Sequence, residues 1–85
     1  MNTLLQDLPT PRLPAAIPVR LTPAGPNLWR VLERGGRVIG HIAAVKDAAG
    51  IRFRARRYQP TTRAFRDLGE FWAAGDAVDC LRFAR

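Results

Sequence analysis

Two glycine-bearing breaks, Gly35–Gly36 and the run Lys46-Asp47-Ala48-Ala49-Gly50, fix most of what this chain can become. Glycine adopts positive φ without strain, which tight hairpin turns require. The runs that these turns join alternate with a period of two, the mark of a strand with one dry face. In Leu28–Arg34, Trp29 and Val31 oppose Arg30, Leu32 and Arg34. In Arg37–Val45, Val38, Gly40, Ile42 and Ala44 oppose Ile39, His41 and Ala43. In Ile51–Tyr58, Ile51, Phe53 and Ala55 oppose Arg52, Arg54 and Arg56. A parallel pairing needs a crossover of a dozen or more residues, so such short turns force an antiparallel meander.

The flanks differ in character. Six of the seven prolines lie within residues 1–26, and each removes an amide donor and restricts the residue before it. We expect this segment to be a disordered, extended tail, with Leu4–Leu8 at most a helical turn. After Gln59-Pro60-Thr61-Thr62-Arg63, a loop by composition, Ala64–Phe71 is extended and forms an optional fourth strand. The last segment has helical spacing. Ala74, Ala77, Val78 and Leu81 make one apolar stripe, with Asp76 and Asp79 early and Arg82 and Arg85 late, an order that complements the helix dipole.

The expected architecture is therefore α+β: a three- or four-stranded antiparallel sheet with one C-terminal helix on one face. The tail covers residues 1–26 and the domain residues 27–85. The expected core is Trp29, Val31, Val38, Ile42, Ile51, Phe53, Leu68, Phe71, Ala77, Val78 and Leu81. Antiparallel sheets tolerate a second face left open to water. At 85 residues the chain holds one small core. Such a domain is marginal alone, so a homodimer is a live expectation.

Charge gives the first functional clue. The net charge is +7, and 13 of the 14 basic residues are arginine. A GC-rich coding bias explains the arginine excess as readily as function does, but placement is more telling. Ten of the 14 basic residues and only two of the seven acidic ones fall within residues 27–66, on the expected sheet. If Phe53 faces the helix, then Arg52, Arg54 and Arg56 face away, joined by Arg30 and Arg34 from the first strand and Arg37 from its turn. Tyr58, Leu32 and Ile39 lie among them. An ordinary solvated face mixes both signs more evenly. One-signed basic faces are the electrostatic footprint of nucleic-acid binders, and arginine suits phosphate and guanine.

Catalytic and metal chemistry is thinly represented. The chain has no serine, one histidine and one cysteine, His41 and Cys80. The strand pattern puts His41 on the open face while Cys80 belongs to the helix, so they do not read as a nucleophile–base pair. No ligand spacing suggests a metal, and Arg34-Gly35-Gly36-Arg37 is a hairpin turn rather than a phosphate loop. We expect no enzyme activity and no cofactor. A single cysteine fits a reducing cytoplasm, and no run reaches the ~20 apolar residues of a membrane span.

Leu68, Gly69, Phe71 and Ala77 form an L-G-x-F-x5-A pattern. It resembles the signature that closes the sheet and opens the helix in the plant ethylene-response-factor DNA-binding domain. The plan of strands followed by one helix is similar to that of the arm-binding domain of tyrosine integrases. The resemblance spans residues 28–83 and implies that the open sheet face enters the DNA major groove. By position, Arg52, Arg54 and Arg56 would take the contacting role, and Leu68, Phe71 and Ala77 the packing role. The first strand lacks the Arg-Gly-Val run of those families. The nucleic-acid-binding candidates are Arg30, Arg34, Arg37, Arg52, Arg54, Arg56 and Tyr58. Double-stranded DNA is the expected partner, in transcriptional regulation or recombination. The alternatives are RNA, or an acidic protein surface met by an inhibitor or adaptor.

Overall fold

The computed structural model describes residues 8–83. Five strands form one antiparallel sheet in chain order: β1 (Val19–Gly25), β2 (Leu28–Glu33), β3 (Val38–Asp47), β4 (Gly50–Gln59) and β5 (Ala64–Phe71). One helix, α1 (Ala74–Phe83), follows and packs across β3, β4 and β5. The expected α+β class and the C-terminal helix stand. The strand number is five, not three or four.

The extra strand, β1, comes from the segment expected to be a tail. Its Pro23 sits in an edge strand, where a missing amide costs least. Val19 and Leu21 face the core, opposite Glu33 and Val31. Upstream, Leu13 and Ile17 also pack against the core, and Pro14 lies against the helix start at Gly75. The proline-rich stretch thus supplies apolar cover beside the helix. Residues 1–7, including most of the proposed Leu4–Leu8 turn, lie outside the described residues.

The turns form as their residues dictate. Gly36 takes φ 90° between Glu33 and Arg37, where Glu33 N donates to the Arg37 carbonyl. Gly50 takes φ 128°, and the Asp47 side chain accepts from Ala49 N at 2.9 Å. Asn27, in the left-handed region, turns β1 into β2.

Val31, Ile42, Ala55, Ala77, Val78 and Leu81 form the buried centre. The expected helical stripe of Ala74, Ala77, Val78 and Leu81 is the buried one. Gly40 lets the helix reach the sheet: a Cβ there would stand 2.5 Å from Leu81 Cδ2 and 2.9 Å from the Arg56 carbonyl oxygen. Val38, expected in the core, is exposed. The β2–β3 register slips so that Val31 pairs with Gly40 but Leu32 with Val38, leaving Ile39 as the extra residue. That bulge turns Ile39 against the core and Val38 outward.

Candidate nucleic-acid interface

Side chains on the open face line up in rows across the strands, because directly opposed residues in an antiparallel ladder point the same way. One row reads Thr22, Arg30, His41, Arg56 and Asp67, one residue from each strand. A second joins Leu28, Ala43, Arg54 and Glu70. Tyr58 and Phe65 pair at the end of β4 and β5.

The structure places Arg52, Arg54 and Arg56 on this open face as the alternation demands, but not in isolation. Arg54 Nε donates to Glu70 Oε2 at 2.9 Å, and Arg56 Nε donates to Asp67 Oδ1 at 2.9 Å. Arg52 pairs with Asp47 and lies 3.7 Å from Glu70. The expectation of arginines with no carboxylate between them is overturned for β4: three arginines meet three carboxylates. For Arg54 and Arg56 the cause is a second bulge. Ala55 pairs with Gly69 but Arg56 with Asp67, so Leu68 is the extra residue and turns toward the core. Without it, Asp67 and Glu70, three apart, would fall on opposite faces. The hydrogen bond to Glu70 holds the Arg54 pKa above its ordinary value.

The other candidates keep their charge unpaired. Among the described residues, Arg30, Arg34 and Arg37 have no carboxylate within ion-pair distance; Arg30 reaches only the Pro23 carbonyl, at 3.3 Å. Arg34 and Arg37 lie at the end of the sheet that holds the β2–β3 turn, and Arg30 stands mid-strand on β2, opposite His41. The β4–β5 turn and the C-terminus of α1 share that end, bringing Arg57, Arg63, Arg66 and Arg82. Arg57 Nη2 donates to the Leu81 carbonyl at 2.7 Å, satisfying a terminal helix acceptor. Arg82 pairs with Asp79 along the helix. The molecule is therefore polarised, with its excess charge gathered at one end.

Aromatic rings adjoin this basic end. Phe65 meets His41 edge-on at 5.0 Å and Tyr58 at 5.4 Å, and the Arg56 guanidinium lies 5.0 Å from the Phe65 ring centre. Tyr58 is 44% and Phe65 41% exposed, so neither ring is spent on the core. His41 Nδ1 is buried with no hydrogen-bond partner. Burial, then the charges of Arg30 and Arg56, hold its pKa below 6.5.

Beyond His41 and Arg56 the sheet divides. The β3–β4 ladder runs only from that pair to Asp47 and Gly50. Val38 remains paired with β2, while Tyr58 and Gln59 remain paired with β5. Here the two hairpins form a fork, no longer bonded to each other, and both line a cleft of ≈1010 Å³. Arg30, Arg34 and Arg37 line one arm; Arg57 and Tyr58 line the other; Arg82 and Phe83 close it from the helix. Among the described residues Glu33 is the single carboxylate in the lining.

Arg57, Phe65 and the β5 carboxylates escaped the sequence reading. Folding the Gln59–Ala64 hairpin on paper sets Tyr58 against Phe65, but the Leu68 bulge has no comparable sequence mark. Among the described residues no cluster of His, Cys, Asp or Glu is arranged to hold a metal, and no helix is long and apolar enough to cross a membrane. Comparison of the chain with protein-family models, with curated proteins and with solved structures found no match.

Proposed function

We propose that this chain is a nucleic-acid-binding domain whose contact surface is the basic end of the open sheet face. The observation that carries this reading is the company kept by the unpaired arginines. Among the described residues Arg30, Arg34 and Arg37 have no carboxylate in ion-pair distance, and an exposed pair of rings, Tyr58 and Phe65, stands at the same end of the face. Basic groups next to accessible aromatics meet both parts of a polynucleotide, its phosphates and its bases. Arginine is suited to the first role because its planar fork takes two phosphate oxygens at once.

In this reading the β4 arginines serve a different purpose from the one their alternation suggests. Their ion pairs fasten β5 to the sheet, and Arg56 props Phe65. The contacting role passes to the hairpin arginines.

The test is fluorescence anisotropy with labelled oligonucleotides, single-stranded and duplex, over a series of salt concentrations. Binding should weaken linearly in log salt as counterions are released. The double variant Arg34→Gln/Arg37→Gln should lower that slope by about 2 if both contact phosphate. Absence of binding to every oligonucleotide at low salt overturns the proposal.

A further inference from the structure

We infer that the fork between the two hairpins is a site for a single-stranded nucleic acid, with phosphates held in the cleft and a base stacked on Tyr58. The inference rests on the nucleic-acid reading above and goes beyond it by naming the form of the polymer and where it threads.

Three features converge. The first is shape. Bonded neighbouring strands stand only about 4.8 Å apart, whereas the two unbonded arms of the fork both line a cleft of ≈1010 Å³. A space of this size is at the upper end of the usual range for compact ligands, ~300–1,000 Å³. It takes a strand of nucleotides.

The second is charge. Among the described residues, five arginines from both arms and from the helix face a space holding one carboxylate, Glu33. Arg57 spends one nitrogen on the Leu81 carbonyl, which fixes its guanidinium in place across the base of the fork. The helix carbonyls at this end repel anions, and Arg57 and Arg82 are the groups that screen them.

The third is the position of the rings. Tyr58 and Phe83 both line the cleft, 44% and 67% exposed. Within a duplex the faces of the bases are stacked on one another and closed to a side chain. A ring at the mouth of a phosphate-binding cleft is useful only to a base that has left its partner.

The experiment compares a labelled 12-nucleotide oligo-dT, the duplex of the same length, and an abasic 12-mer with the same phosphates, all at one low salt concentration. The oligo-dT should bind at least tenfold tighter than the duplex and about tenfold tighter than the abasic strand, in keeping with one base stacked on an aromatic ring. Tyr58→Ala should erase the preference for oligo-dT over the abasic strand and leave abasic binding unchanged. Tyr58→Phe, which keeps the ring, should retain it and guards against a folding effect. Equal or tighter binding of the duplex overturns this inference and leaves the nucleic-acid reading standing. Equal affinity for oligo-dT and the abasic strand overturns the stacking role. Failure of all three to bind removes both.

Discussion

His41 and Arg56 face each other across the last rung that joins β3 to β4, and the His41 Nδ1 atom is buried there without a hydrogen-bond partner. The charged groups around it are Arg30 on β2 and Arg56 on β4, with Asp67 on β5 already engaged by Arg56. The ring therefore resists protonation.

This fixes the sign of a pH effect. The unfolded chain takes up a proton on His41 near pH 6.5, whereas the folded chain does so only at lower pH. Acid thus favours the unfolded form. The contribution of His41 is complete above the unfolded value and is lost as pH falls through 6.5 and then through the folded pKa. Urea midpoints at pH 7.5 and 5.5 should differ less for His41→Gln than for the parent. Identical differences in the two proteins would remove His41 as the cause.

Removing the β5 carboxylates should strengthen polyanion binding. Asp67→Asn and Glu70→Gln release Arg56 and Arg54 on an exposed surface, where such ion pairs contribute at most ~1 kcal/mol to folding. Melting should change little. The salt dependence of oligonucleotide binding should steepen by up to about 1 for each arginine that gains a phosphate. An unchanged slope in both variants would show that the β4 arginines serve only the sheet.

Gly40 is a packing requirement rather than a flexible point. Gly40→Ala should cost ~1–3 kcal/mol, because its Cβ would overlap Leu81 and crowd the Arg56 carbonyl. In a Leu81→Ala background the same change should cost less, since the closest obstacle is gone. Strict additivity in denaturant melts of the four proteins would place the strain elsewhere.

The proline-rich segment should matter to stability. Leu13 and Ile17 are half-buried against the core, so Leu13→Ala/Ile17→Ala should lose roughly 2–4 kcal/mol, less than two fully buried truncations would. A double variant that melts with the parent would mean that this stretch does not dock in solution.

How much of this was legible beforehand follows from the periodicities. The two glycine turns, the faces of β2 and β4 and the buried helical stripe could be read directly, because each rests on contacts within a few residues. Val38, Asp67 and Glu70 could not. Their directions depend on single extra residues, Ile39 and Leu68, that only the pairing of distant strands reveals. β1 was hidden for another reason: Pro23 within it and Pro18 and Pro26 beside it argue against a strand in general, while an edge position and the core contacts of Val19 and Leu21 accommodate them. The arginine count was visible, but that Arg54 and Arg56 meet carboxylates depends on the Leu68 bulge.

The fork has a mechanical consequence. Past His41 and Arg56 no ladder bond ties one arm to the other, so side-chain packing joins them there: His41 against Phe65, and Gly40 and Arg57 against Leu81. Each arm is held internally by its own hairpin, β2 with β3 and β4 with β5. At its charged end the domain thus exchanges a backbone ladder for side-chain contacts, which leaves the outline of the cleft to be set by packing rather than by backbone bonds.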